Sequence, residues 1–171
     1  MEYMRLSLQQ QFDRMQQLAS MSDFLTASFA ALSRSQLSAR GPNNAFAPIE
    51  QVWHLADLEK EGFHQRVTRL LHEDYPMLSD FDGTQAANDK NYLSKELRVG
   101  LAQFQHYRQL NLQLFAQLSE SQWRRRGTLD GFGEVSLCDM PGFLFQHDNA
   151  HKQEIVAWQY WHRNNHIGMS D

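Results

Sequence analysis

Apolar residues recur at spacings of three, four and seven along four long segments, and this pattern predicts four amphipathic helices. Turn-forming residues separate these segments, most clearly at Gly41-Pro42-Asn43-Asn44. We therefore expect an all-α, four-helix bundle, with residues 1–171 forming a single domain. The predicted helices run from about Ser7 to Leu32, Pro48 to Glu73, Asp89 to Leu118, and Ser136 to Arg163.

Local signals indicate how these helices begin and how they are connected. Pro48 stands where proline is best tolerated, in the first turn of a helix. The connection from Tyr75 to Asn88 is long for antiparallel neighbours and indicates a crossover between the second and third helices. Ser136 has the form of an N-cap with Asp139 reaching back to it. Pro141 then either starts the fourth helix or kinks it one turn before a pair of histidines.

Composition narrows the class of protein. A net charge of -4 gives no general attraction to nucleic acid or to an anionic membrane. The one cysteine, Cys138, fits a reducing compartment. The N-terminus lacks an apolar signal core, and no apolar run approaches the ~20 residues that a membrane helix needs. We expect a soluble, cytoplasmic protein that binds neither nucleic acid nor membranes.

Two of the eight histidines, His147 and His151, stand four residues apart in the fourth predicted helix. At this spacing both side chains lie on one face, with about 5–6 Å between their Cβ atoms, so their imidazoles can converge on one metal ion. The best third ligand is His54, because its crowded apolar stretch favours a neutral imidazole bound to a cation. Three histidines would leave a coordination position open, as in catalytic metal sites. The alternative is a half-buried histidine pair that packs in the bundle core or donates to neighbouring carboxylates.

Residues around these histidines give weaker indications. Asp148 replaces the glutamate that a zincin-type protease needs after its first histidine, so that activity is disfavoured. Carboxylates that could orient a metal-bound imidazole are near in sequence, although for Glu154 we favour a solvated position. These carboxylates are Asp57, Glu59, Asp148 and Glu154.

Further candidates have ordinary structural interpretations. The aromatic residues could line a pocket, but core or dimer contacts are more usual. The segment from Arg124 to Val135 predicts a short hairpin and nothing longer, and its three arginines are more simply solvated than anion-binding. His162 and His166 repeat the four-residue spacing near the C-terminus, where a second metal site is not expected. The aromatic candidates are Trp53, Trp158, Tyr160 and Trp161.

Three stretches stand out by their motifs: Val52-Trp53-His54-Leu55-Ala56-Asp57-Leu58-Glu59, Gly133-Glu134-Val135-Ser136-Leu137 and His147-Asp148-Asn149-Ala150-His151-Lys152-Gln153-Glu154-Ile155. Together they resemble the DinB-like superfamily of small helical bundles, also called the YfiT-like metal-dependent hydrolase family. The similarity runs from about Ala47 to Trp158, and the motifs are specific in their combination and order. The Pro141-Gly142 pair departs from the plain helix usual in the family.

The resemblance implies an up-down-down-up bundle and one divalent metal ion, commonly zinc or nickel, on three histidines that fall on His54, His147 and His151. It implies an enzyme that acts on a small molecule, either a hydrolase or a thiol-dependent transferase; the sequence identifies no catalytic residue. We also expect a homodimer. Two alternatives stay open: a non-catalytic, stress-associated metal-binding bundle that acts through dimerisation or a partner protein, and a bundle whose histidines do not converge.

Overall fold

The computed structural model describes residues 3–165 in full and the backbone of residue 166. A π-helical segment, Leu58–His64, joins two of the helices without a break, and short 3-10 turns occur at Tyr3–Arg5, Pro42–Asn44, Tyr92–Ser94 and Leu137–Asp139. The other elements are α1 (Leu8–Ala19), α2 (Met21–Phe29), α3 (Arg34–Leu37), α4 (Pro48–Asp57), α5 (Gln65–His72), β1 (Met77–Leu78), α6 (Gly83–Asp89), α7 (Leu97–Gln117), α8 (Glu120–Trp123), β2 (Arg126–Leu129), β3 (Gly133–Ser136) and α9 (Met140–His166).

Four long helical stretches form the bundle: α1 with α2, then α4 through α5, then α7, then α9. The first and fourth stretches run in the same direction. Near their starts the guanidinium of Arg14 lies 3.8 Å from the ring centroid of Phe145. Further along both, Gln159 donates a hydrogen bond to the carbonyl of Ser28. Residue numbers therefore rise together along the contact, which makes these two stretches parallel.

The second and third stretches are also parallel to each other. Trp53 donates to the carbonyl of Glu96 at the start of α7, and His64 contacts the side chain of Asn111 much further along it. This arrangement requires the chain to return to the same end of the bundle between them. The long connection from α5 to α7, predicted from the sequence, makes that return.

The second stretch runs against the fourth. Gln51, near the start of α4, pairs with Glu154, whereas Phe63, a dozen residues later, packs against His147, which precedes Glu154 in α9. The order is therefore up-down-down-up. The predicted all-α, four-helix bundle is confirmed, with its long connection between the second and third helices.

The predicted start of the third helix is wrong by eight residues. We expected it at Asp89, but α7 begins at Leu97. A separate short helix, α6, comes first and is capped by the side chain of Asp82, which accepts from the backbone N–H of Gln85. Asn91 then adopts a left-handed conformation, with φ of 45°, and the chain turns before α7 begins.

The fourth helix starts without a kink at Pro141. The side chain of Asp139 accepts hydrogen bonds from the backbone N–H and the hydroxyl of Ser136, as the sequence predicted. A 3-10 turn follows, and α9 begins at Met140. Pro141 thus lies in the first helical turn, where an N–H has no partner within the helix and its loss costs little.

The first two predicted helices and the hairpin need smaller corrections. The first helix has a break at Ser20 and ends at Phe29. The second begins at Pro48 as predicted but contains the π-helical segment. Strands β2 and β3 form the predicted antiparallel hairpin. The parallel strand β1, which pairs Met77 with Thr128, was not predicted, because two residues are too few to show a strand pattern.

The core consists of two apolar clusters separated by a polar layer. One cluster includes Leu18, Leu58 and Leu144, and the other includes Met21 and Ile155. Buried polar side chains lie between the two clusters along the second, third and fourth helical stretches. Among the described residues, no helix combines the length and apolar character needed to cross a membrane.

Candidate metal centre

Three histidine side chains from two helices converge in the polar layer. His54 comes from α4, and His147 and His151 come from successive turns of α9. The Nε2 atom of His147 lies 3.4 Å from Nε2 of His54 and 3.1 Å from Nε2 of His151. One ligand atom from each residue lies within 4.8 Å of the other two. The structure therefore brings together all three predicted site residues.

The imidazole of His151 is oriented by two oxygen acceptors. Its Nδ1 lies 2.6 Å from Oε1 of Gln51 and 3.1 Å from Oε2 of Glu154. Because both oxygens accept hydrogen bonds, the ring proton sits on Nδ1, and Nε2 presents a lone pair to the other histidines. Gln51 also donates to Glu154 at 2.9 Å, which locks the three side chains together.

This contact corrects the interpretation of Glu154 as a solvated residue. The Glu154 side chain is 55% exposed, yet its carboxylate faces His151. Its hydrogen bonds with His151 and Gln51 lower the pKa of Glu154 to about 2. Gln51 was missed by the sequence reasoning, although its position three residues before His54, on the same face of α4, was an available signal.

Burial keeps the other two histidines neutral. Burial, and to a smaller extent the neighbouring His151, lowers the pKa of His54 to about 4 and that of His147 to about 2. A neutral imidazole is the form that binds a metal ion. His54 and His147 are therefore in the correct protonation state for metal binding at neutral pH.

His54 is packed tightly against the start of α6. A Cβ atom added at Gly83 would lie under 3.0 Å from both Cε1 and Nδ1 of His54, so only glycine fits there. Phe46 and Phe81 lie near the imidazole, with ring centroids 5.7 and 6.0 Å away. Gly83 and Phe81, both from the crossover connection, thus help to fix the position of the His54 ring.

A cavity of about 410 Å³ opens beside the histidines. His54 and His147 form part of its wall, while His151 lies behind them. A neighbouring cavity of about 480 Å³, beside the β2–β3 hairpin, shares Phe143 and Gln146 with the first but contains none of the three histidines. The smaller cavity is therefore the one that gives a small molecule access to the histidine cluster.

The sequence profile of the DinB superfamily matches residues 17–155. The chain belongs to this superfamily. The solved structure of YfiT from Bacillus subtilis is similar, with a TM-score of 0.81 and 20% identity, covering 96% of this chain and 91% of that chain. That protein is described as a probable metal-dependent hydrolase with an unusual four-helix bundle topology. No curated protein matches the chain.

In this DinB-superfamily chain, the donor set fits a divalent ion. Two nitrogens bound tetrahedrally at the usual zinc–nitrogen distance lie about 3.3–3.4 Å apart. The observed Nε2 separations of 3.1 and 3.4 Å are close to that spacing. The lone pair on Nε2 of His151 faces Nε2 of His147. Without a cation, that nitrogen of His147 could donate a hydrogen bond to only one of its two neighbouring ring nitrogens. A cation between the three nitrogens satisfies all of them.

Asp57, the nearest carboxylate to His54 in sequence, serves a different purpose. It accepts hydrogen bonds from Lys90, Tyr92 and Gln103 at 2.8–2.9 Å. Burial would raise the pKa of Asp57, but these three hydrogen bonds outweigh burial and lower the pKa. Asp57 thus ties α4 to the connection and to α7, and this candidate carboxylate does not orient a histidine.

Glu59 and Asp148 likewise bind Arg108 instead of a histidine. Arg108 lies on α7 and is almost fully buried. Its guanidinium makes paired hydrogen bonds of 2.9–3.0 Å with Glu59 and of 2.6–2.9 Å with Asp148, and it donates to the carbonyl of Leu18. Asn111 donates a further hydrogen bond to Glu59. Burial opposes the charge on Arg108, but the two carboxylates outweigh it and raise its pKa.

The aromatic candidates and the second histidine pair lie elsewhere. Trp53 and Trp158 are buried, whereas Tyr160 is exposed. His162 stacks on Trp158, with ring centroids 4.7 Å apart. The side chain of His166 lies outside the described residues, so a second site at that pair stays untested.

The arginine run is held by neighbouring protein groups. Arg124 pairs with Glu120, and Arg126 pairs with Glu134 across the hairpin. Arg125 donates to two backbone carbonyls at the end of the second helical stretch. Arg126 lines the cavity beside the hairpin but not the one beside the histidines. We predicted that these arginines are simply solvated; Arg124 and Arg126 are exposed but paired with carboxylates, and Arg125 is half-buried and donates to the backbone.

Proposed function

We propose that this chain is a divalent-metal-dependent enzyme that acts on a small molecule, as a hydrolase or a thiol-dependent transferase. One observation carries the proposal: three histidine Nε2 atoms converge beside a cavity that two of the histidines help to line. The description of the similar YfiT structure as a probable metal-dependent hydrolase supports the same class.

The three histidines would hold the ion and leave coordination positions toward the cavity. A divalent ion with an open position acts as a Lewis acid and lowers the pKa of a water or thiol that binds to it. The chain itself supplies the orientation: Gln51 and Glu154 fix the ring of His151 through its Nδ1. We propose zinc or nickel as the ion, because imidazole nitrogens suit both metals.

Metal content tests the site directly. Protein prepared without a polyhistidine tag and without added metal should contain close to one ion per chain by elemental analysis. His147→Ala and His151→Ala should each abolish that content, because two remaining nitrogens bind a divalent ion poorly. The matched control is His106→Ala, at an exposed histidine of α7, which should keep the ion. Full metal retention in both site variants would contradict the proposal.

The reaction class needs a separate screen. Ester and amide substrates test hydrolysis, and electrophilic substrates with thiol cofactors test transfer. Activity that depends on the ion and disappears in His147→Ala would assign the class. A metal-loaded protein that is inactive with every substrate would favour a non-catalytic role.

One observation favours that alternative, a metal-binding bundle that acts through dimerisation. Leu8 and Phe12, four residues apart on α1, are 84% and 59% exposed. Exposed apolar side chains on one helix face are typical of contact surfaces. If the protein is a homodimer through this face, the double substitution Leu8→Gln, Phe12→Gln should produce a monomer in light scattering. A wild-type monomer at high concentration would exclude this form of the alternative.

A further inference from the structure

Arg66 is a buried cation in the wall of the cavity beside the histidines. It lies on α5, and its side chain is 9% exposed. The same cavity is lined by His54 and His147. Among the residues that line this cavity, Arg66 is the basic side chain outside the histidine cluster. A molecule bound at the histidines would therefore have a guanidinium in the wall of the same cavity.

The hydrogen-bonding capacity of Arg66 is only partly used. Its Nε and Nη2 atoms both donate to the carbonyl of Ser79, at 3.3 and 3.0 Å, and Nη2 also donates to Asp80 over a longer 3.4 Å. Within the described part of the chain, its Nη1 atom has no hydrogen-bond partner. A guanidinium can donate five hydrogen bonds, so Arg66 keeps donors available for a ligand.

The counter-ion of Arg66 is also weak. Asp80 approaches Nη2 at 3.4 Å through one oxygen, and its side chain is 76% exposed. An exposed carboxylate at that distance compensates a buried charge poorly. Burial accordingly lowers the pKa of Arg66 despite the attraction of Asp80. An anionic group placed in the cavity would give the guanidinium the partner that it lacks.

The remaining walls of the cavity indicate the rest of the ligand. Phe63, Phe81 and Phe143 line it, so it can enclose an aromatic or aliphatic body. The positive charge available in the cavity favours a carboxylate over a phosphate, because Arg66, partly offset by Asp80, can balance only a single negative charge. Arginine also pairs with carboxylates through two parallel hydrogen bonds.

We propose that Arg66 binds the carboxylate of the substrate while the reacting group of the same molecule lies at the three histidines. The substrate class is then a small carboxylic acid with an apolar or aromatic body. This inference rests on the proposed metal-dependent function. Under this proposal, Arg66 is a specificity-determining residue that orients the substrate.

Paired ligands test the proposal without knowledge of the substrate. Hydroxamates bind divalent metals, so benzohydroxamate reports on the metal site alone. Its 3- and 4-carboxylate derivatives add the charge, and the corresponding carboxamides add similar bulk without charge. We expect one carboxylate to bind the zinc-loaded protein about tenfold more tightly than its carboxamide, as measured by calorimetry, because a hydrogen-bonded charge pair typically contributes that much.

Four variants separate Arg66 from general effects on the fold. The carboxylate preference is the affinity for the carboxylate divided by the affinity for its carboxamide. Arg66→Met should reduce this ratio to about one, and Arg66→Lys should keep part of the preference. Asp80→Asn, at an exposed position, should increase the preference by removing a competing carboxylate. Arg69→Met is the matched control on the same helix, because Arg69 pairs with Glu73 and does not line the cavity. Zinc content and melting temperature verify that each variant is folded.

The outcomes separate this inference from the proposed function. If benzohydroxamate binds but wild type shows no carboxylate preference for either isomer, or if Arg66→Met and Asp80→Asn leave the preference unchanged, the assignment of Arg66 is overturned and the metal site stands. If unsubstituted benzohydroxamate fails to bind the zinc-loaded wild type, the metal-dependent function and the inference that rests on it are both overturned.

Discussion

Replacing Arg108 with methionine should strongly destabilise the bundle. Arg108 joins all four helical stretches, because from its own position on α7 it binds Glu59 of the second, Asp148 of the fourth and the Leu18 carbonyl of the first. Methionine has a similar length and fills much of the same volume, so the substitution mainly removes the charge and its hydrogen bonds.

The size of the effect follows from burial. Side-chain exposure is 2% for Arg108, 2% for Glu59 and 3% for Asp148, so solvent does not screen these charges. Removing one partner of a buried ion pair typically costs about 3–5 kcal/mol, because the other charge is left uncompensated. For a protein of this size, that corresponds to a fall in melting temperature of about 6–20 °C.

The loss should also depend on pH. Without Arg108, burial raises the pKa of the two carboxyls in the folded state above their unfolded value of about 4. The folded variant then holds protons that the unfolded chain releases, so its stability falls as pH rises above about 4. Urea unfolding of wild type and Arg108→Met at pH 4 to 8, with metal removed, should show a deficit that grows with pH.

A triple variant provides the control. Combining Arg108→Met with Glu59→Gln and Asp148→Asn removes both uncompensated charges, and it should recover most of the lost stability. A single variant that loses less than about 1 kcal/mol would refute the reasoning, since such a value is typical of an exposed ion pair. A triple variant no more stable than the single one would equally refute it.

Three further predictions concern the histidine cluster. Gly83→Ala should displace the His54 ring and lower zinc affinity in a chelator competition, while Thr84→Ala, at the exposed neighbouring position, should not. Glu154→Gln should weaken zinc binding by about 10–100-fold in the same competition, because the carboxylate that orients His151 is lost. In metal-free protein, His54 has a lower pKa in the folded state than in the unfolded state, so the free energy of unfolding should fall by about 3 kcal/mol as pH drops from 6.5 to 4. His54→Gln should lack this fall in urea unfolding, and equal pH profiles of the two proteins would contradict the prediction.

Local signals in the sequence predicted much of the site. The four-residue spacing of His147 and His151 placed both rings on one helix face, and the structure shows them there. The first-turn position of Pro48 and the contact between Ser136 and Asp139 are also local, and both were predicted. These features depend on neighbouring residues within one helix, so periodicity and capping rules are sufficient for them.

Contacts between distant helices were not predicted. Arg108 and Asn111 lie between the buried Phe104 and Phe115, at spacings that continue the apolar stripe of α7. These two polar residues occupy core-facing positions of α7, and that placement was an available signal of a buried polar network. Their partners could not be identified in the same way, because pairing depends on how the helices pack. The contact between Gly83 and His54 could not be predicted for the same reason, because it depends on the path of the crossover connection.

The polar layer explains how an apolar bundle accommodates three converging histidines. In the up-down-down-up order, the second helix is antiparallel to the fourth, so that Gln51 and His54 face Glu154 and His151 in reverse order. Arg108 neutralises the carboxylates of the same layer from α7. Apolar clusters on both sides of the layer help to bury the histidines, and this burial lowers the pKa values of His54 and His147, so that both rings stay neutral. We infer that this layer lowers the stability of the bundle in exchange for a preorganised set of metal ligands.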